Sequence, residues 1–172
     1  MKLRKLAAVA GAVLLGLTLA AAVPSPASAV TTGPYRLVVP GYDLCLDVIG
    51  ASYADQARLQ LYRCLVGQQN QQFRLEQAIG SNKYRIIARH SGKCVDVVGA
   101  STSNNAEIQQ YTCLGNGQLN QIWLRGDGDG KTWFVPRHAT IMCLYYPVAP
   151  VYEQAPALQR YCDQWNWYLV LA

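Results

Sequence analysis

After Lys5 the chain carries no run of lysine or arginine, and charged residues make up only 15% of it. Of the formal net charge of +5, Lys2, Arg4 and Lys5 supply three; without them 12 basic residues face 10 acidic ones, or +2. Nucleic acid is thereby excluded as the main partner, because phosphate binding needs a concentrated basic patch. Histidine is scarce: His90 and His138 are the only two. No serine or cysteine nucleophile motif surrounds either, and each reads as a solvent-exposed residue in the turn before a cysteine. No CxxC pair or histidine-bearing cysteine cluster exists, so a structural zinc is not expected, and no other metal or cofactor is. Asp127-Gly128-Asp129 falls short of a calcium ligand set and reads as a turn. Beyond Val23 no apolar run is long enough to span a bilayer, and sustained helical periodicity is missing.

Residues 1–29 have the pattern of a secretory signal: a basic start at Met1-Lys2-Leu3-Arg4-Lys5, an apolar run from Leu6 to Val23, then Pro24 and Ala27-Ser28-Ala29. The competing reading is an uncleaved anchor. Pro24 and the small-x-small Ala27-Ser28-Ala29 favour cleavage instead, with the mature protein starting near Val30. No cysteine precedes Cys45, so a lipid-modified cysteine just after the signal is not expected. Residues 30–172 suit one compact, monomeric domain.

Six cysteines, all in the exported part, stand at 45, 64, 94, 113, 143 and 162. Export makes disulfides the expected state. Within each pair the spacing is 19, and from pair to pair it is 49, so symmetry selects Cys45–Cys64, Cys94–Cys113 and Cys143–Cys162 from the 15 pairings open to six cysteines. The repeat extends well beyond the cysteines. Cys94 to Trp123 laid over Cys45 to Phe73 matches Asp96 with Asp47, Gln109 with Gln60, Tyr111 with Tyr62 and Asn120-Gln121 with Asn70-Gln71. A third copy begins at Cys143, placing the repeats at about 35–79, 84–126 and 133–172.

Each copy offers four short apolar segments separated by turn residues. In the first copy they run through Leu37 and Val39, Leu44 to Val48, Leu59 to Tyr62, and Phe73. Phe73, Trp123 and Leu169 are the expected core residues of the fourth strands. A single four-stranded copy cannot bury its apolar face, and closing three copies around one axis also removes exposed strand edges. The predicted fold is all-β: a β-trefoil of 12 strands in three roughly 49-residue repeats.

The Cys-Leu-Asp-Val, Leu-Gln-Leu-Tyr-x-Cys and Asn-Gln-x-Phe or Asn-Gln-x-Trp elements resemble the ricin-type β-trefoil lectin and carbohydrate-binding module family over Tyr35 to Ala172. That resemblance implies a non-catalytic sugar-binding domain with one shallow pocket per copy, commonly for galactose-like or xylose-like units. It also assigns Asn70 and Asn120 to sugar contact.

Alternation puts Leu59 and Leu61 on one face and Gln60 and Tyr62 on the other. Gln109 and Tyr111 share a face likewise, leaving Gln110 on the core side in need of a partner. A sugar requires an aromatic face for its C–H patch and hydrogen-bonding groups for its hydroxyls, and a carboxylate strengthens those bonds. Pocket one is therefore expected from Asp47, Gln60, Tyr62 and Asn70, supported by Gln71. Pocket two is expected from Asp96, Gln109, Tyr111 and Asn120, supported by Gln121. In the third copy Tyr145, Leu158, Arg160 and Trp167 stand where Asp, Gln, Tyr and the second Gln would be, and Asn166 alone remains. A framework role would recur in all copies, so the loss separates binding residues from scaffold. Tyr145 and Tyr152 are read as packing, with stacking on a sugar the lesser alternative.

Three classes of function are open. A secreted carbohydrate-binding protein for glycans or polysaccharide explains the paired Asp-Gln-Tyr-Asn sets. A glycosidase needs two carboxyl groups about 5–9.5 Å apart, whereas Asp47 and Asp96 are repeat equivalents in different lobes, so no enzyme is expected. A protein-binding trefoil, such as a secreted protease inhibitor, is the alternative.

Overall fold

The computed structural model describes residues 30–78, 82–147, 151–162 and 167–172. Among them are twelve strands: β1 (Thr31–Val38), β2 (Leu44–Val48), β3 (Leu59–Arg63), β4 (Phe73–Gln77), β5 (Lys83–Ala88), β6 (Cys94–Val97), β7 (Ala106–Tyr111), β8 (Trp123–Gly128), β9 (Lys131–Pro136), β10 (Met142–Tyr145), β11 (Leu158–Tyr161) and β12 (Tyr168–Leu171). The signal-like residues 1–29 and Asn166 lie outside the described residues.

The first and fourth strands of the copies pair in a ring. β1 pairs with β4, β4 with β5, β5 with β8, and β8 with β9; a Thr132–Trp167 bridge joins β9 to the start of β12, and β12 returns to β1. The six form a closed barrel with no free edge. The hairpins β2–β3, β6–β7 and β10–β11 cap one end. The caps are stitched in a second ring by threefold-equivalent hydrogen bonds: Gln56 N donates to Gln110 O (2.9 Å), Asn105 N to Gln159 O (2.8 Å) and Gln154 N to Leu61 O (2.7 Å). This is a β-trefoil. Its single core takes an equivalent large aromatic from each copy, Phe73, Trp123 and Trp167, together with Phe134, Leu37, Leu46, Leu59, Ile86 and Ile108.

All three disulfides pair as the repeat spacing selects, each with a sequence separation of 19. Gln110, wholly buried, reaches the preceding repeat, where Nε2 donates to Ser52 O (2.7 Å) and Ala54 O (2.8 Å), and within its own repeat Oε1 accepts from Ser91 Oγ (2.8 Å). Gln159 holds Ser101 O and Ser103 O in the same way.

Three expectations need correction. His90 and His138 are not free loop residues. Each is half-buried, and Nε2 donates to Ser52 O or Ser101 O at 2.9 Å, because closure of the trefoil presses each histidine turn onto the loop of the preceding copy. The turn expected over Gly126–Gly130 is tighter than its composition suggests. Asp127 and Gly128 belong to β8, and only Asp129 and Gly130 turn, both at positive φ (51° and 70°), the conformation that suits a two-residue hairpin. Asp127 is taken up there by Arg125 and Thr132.

The third correction concerns register. Trp167 is not the counterpart of Gln71 and Gln121 but of Phe73 and Trp123. It is fully buried, and its indole donates to Leu144 O (3.1 Å) as that of Trp123 donates to Val95 O (3.0 Å). Leu169, expected in that role, is only partly buried against the core. The link after Cys162 is therefore two residues shorter than the alignment on Asn166 implied.

Candidate functional site

Asp47 on β2 lies opposite Gln60 on β3, and the single 3-10 turn Gln69–Gln71 brings Asn70 and Gln71 beneath the same carboxylate. Gln60 Nε2 donates to Asp47 Oδ1 (3.1 Å), while Asn70 Nδ2 (2.8 Å) and Gln71 Nε2 (3.1 Å) both donate to Oδ2. Repeat two reproduces the arrangement. Gln109 donates to Asp96 Oδ1 (2.8 Å), and Asn120 (2.8 Å) and Gln121 (3.0 Å) donate to Oδ2. Each Oδ2 is thus saturated, whereas each Oδ1 keeps acceptor capacity toward the cleft above it. Both carboxylates are buried, at 4% and 3% exposure, yet both border open space.

Burial pushes the Asp47 carboxyl above its ordinary value of 3.8, against the downward pull of hydrogen bonds from Gln60, Gln71 and Asn70 and of the nearby His90 charge. Asp96 is raised for the same first reason, offset by Gln109, Gln121, Asn120 and His138. Two like-built sites therefore carry like-tuned carboxyls.

Cleft one has a volume of about 340 Å³ and is bordered by Asp47, Gln60, Tyr62 and Asn70. Cleft two, about 380 Å³, is bordered by Asp96, Gln109, Tyr111 and Asn120. All four expected residues of each set come together. Gln71 and Gln121 do not reach the clefts. Both are fully buried behind the aspartate, where they bind backbone at Arg63 and Leu65 or at Thr112 and Leu114, so they position rather than touch.

Several lining residues were not anticipated. Leu65 and Gln68, with Leu114 and Gln118, form one wall; Gly50-Ala51 and Gly99-Ala100 form the other. A signal for them existed, since each recurs at the same place in both copies. Gly50 and Gly99 adopt φ of 62° and 60°, and open space lies where a Cβ would be, so the backbone itself is accessible at the rim. Gln56 also lines cleft two, although it belongs to repeat one. Repetition could not reveal that.

Repeat three keeps the scaffold and loses the cleft chemistry. Tyr145 occupies the aspartate position but is buried, with Arg160 Nη1 donating to its hydroxyl (3.0 Å) and the guanidinium 5.0 Å from its ring centre. Tyr146 packs edge-on against Trp167, and burial pushes its hydroxyl up to about 12. No aromatic face of Tyr145 is left for a ligand; Tyr152 is exposed.

A family model described as ricin-type beta-trefoil lectin domain-like matches residues 26–111 and 69–147. Among solved structures, the chain is similar to the designed three-fold symmetric protein ThreeFoil, at 37% identity and a TM-score of 0.73 over 82% of this chain and 100% of that one. It is similar also to the exo-beta-1,3-galactanase 1,3Gal43A of Clostridium thermocellum, at 28% identity and a TM-score of 0.69. That match covers 82% of this chain but 30% of the galactanase chain. The Rhizoctonia solani agglutinin shares the fold, with 16% identity and a TM-score of 0.70 over 87% of this chain and 100% of that chain. No curated protein matches the chain.

Proposed function

The chain belongs to the ricin-type β-trefoil lectin-like family, and from that premise we propose that it is a secreted, non-catalytic carbohydrate-binding protein taking galactose-like or xylose-like units in the clefts of repeats one and two. The observation that carries the reading is the buried carboxylate held by three amide donors beside a tyrosine, built twice and dismantled in the third copy. A half-exposed Tyr62 or Tyr111 offers a stacking face, and the unsaturated Oδ1 accepts from sugar hydroxyls. Similarity to part of a galactanase favours galactose-like units. Each carboxylate lies in its own cleft, without a second carboxylate among the described lining residues, which supports binding over hydrolysis. The signal pattern of residues 1–29 and three disulfides support export of a domain spanning 30–172. Two weak sites on one molecule would gain affinity together on a polysaccharide or a glycan-bearing surface.

Calorimetric titration of the mature protein with galactose, lactose, xylose and xylan fragments tests this reading, with a glycan array to widen the search. Absence of binding across the array overturns it. The pH dependence is a sharper expectation. The ionised carboxylate accepts from hydroxyls more strongly than the neutral carboxyl does, so bound sugar lowers its pKa; affinity is full above the free cleft's pKa and declines as pH falls through it. Burial raises that free value, so the decline begins above the ordinary carboxylate value of 3.8. Stability moves the other way. A carboxyl raised in the folded state destabilises the fold when ionised, so protonation in this window adds stability. Acid loss of sugar binding is therefore expected while circular dichroism still shows a folded protein.

A further inference from the structure

Resting on the carbohydrate reading, we propose that cleft two holds two linked sugar units, and that Gln56 of repeat one recognises the second. Eight lining positions of cleft one recur in cleft two, from Asp47 and Asp96 to Asn70 and Asn120; among the described linings Gln56 is the one addition. It comes from the neighbouring repeat, so the lining of cleft two spans repeats one and two.

Its backbone is held firmly. Gln56 N donates to Gln110 O (2.9 Å) at φ 67°. On one side Asp55 accepts from Thr112 N (2.7 Å) and Lys93 Nζ (2.7 Å). On the other, Arg58 pairs with Glu107 (3.0 Å) and donates to Gln109 Oε1 (3.1 Å), fixing the amide that holds Asp96. The side chain of Gln56, by contrast, is exposed and lines the cleft. A fixed backbone thus sets an exposed amide, with both donor and acceptor, at the rim of the cleft. The positive φ belongs to the fold, since Asn105 and Gln154 share it, but the placement does not. Gln154, which stands to repeat one as Gln56 stands to repeat two, lines instead a cavity of about 130 Å³ beside Leu59, Ile108 and Ala157, one residue from each repeat.

The test uses mature protein with cleft one silenced by Asp47→Asn. Titrations compare galactose with lactose, and xylose with xylobiose. One of the disaccharides is expected to bind about fivefold tighter than its monomer, the factor carried by one hydrogen bond of about 1 kcal/mol. Gln56→Gly, which takes a positive φ without strain, should bring that ratio to about 1, and Gln56→Asn should recover part of it. A ratio near 1 in the parent, or one that survives Gln56→Gly, overturns this proposal alone. Failure of all four sugars to bind the Asp47→Asn protein overturns this proposal, and the carbohydrate reading falls with it only if the unsubstituted protein also binds nothing across the glycan array.

Discussion

Asp47→Ala combined with Asp96→Ala is expected to abolish retention of the mature protein on galactose-, lactose- or xylan-bearing resin. Each substitution removes the charged acceptor at the centre of one cleft, and hydrogen bonds to charged groups contribute about 1.5–3 kcal/mol each, or roughly tenfold to a hundredfold in affinity per site. Losing both sites also removes any gain from two-point attachment. The amides of Gln60, Asn70 and Gln71, and of Gln109, Asn120 and Gln121, then lose their shared acceptor, so some stability is lost as well. Near-ultraviolet circular dichroism on the same sample separates the two effects. Tyr145→Phe is the matched control, because it removes only a hydroxyl that accepts from Arg160 in the repeat without a cleft carboxylate. Parent-like retention by the double variant, or loss of retention by Tyr145→Phe, would contradict the assignment.

Reduction should unfold the protein. Each disulfide closes a loop of 19 residues' separation, which the chain-entropy model values at about 3 kcal/mol. The three loops lie in different repeats and do not overlap, so their contributions add to about 9 kcal/mol. That sum is comparable to the whole stability of an ordinary domain, about 5–15 kcal/mol. With dithiothreitol at 37 °C the far-ultraviolet β signal is expected to collapse, and the emission of the fully buried Trp123 and Trp167 to shift to the red. A reduced protein that melts within a few degrees of the oxidised one would show that the disulfides are not the main support of the fold.

The two expectations draw on different residues, and the sequence separated them well. Constant spacings of 19 and 49 selected the cysteine pairs, and alternation at Leu59, Gln60, Leu61 and Tyr62 sorted core from cleft. The loss of Asp, Gln and Tyr in the third copy, set against its kept cysteines, marked the cleft residues, and both full sets assemble around buried carboxylates. Less legible was the end of repeat three. A short segment carrying Gln164, Trp165, Asn166 and Trp167 admits more than one alignment, and matching on asparagine put Trp167 two positions from its place in the core.

What the sequence determined by itself is whatever repeats within one copy: strand order, the inward and outward faces, disulfide partners and the two carboxylate-centred sets. Local spacing encodes these, because a strand exposes alternate residues wherever it is built. Only the tertiary structure decided what passes between copies. Closure of the barrel brings His90 to Ser52 and His138 to Ser101, packs Trp167 beneath Leu144, and sets Gln56 of repeat one beside Asp96 of repeat two. Those contacts depend on how three copies turn about a common axis, a property that no single repeat contains.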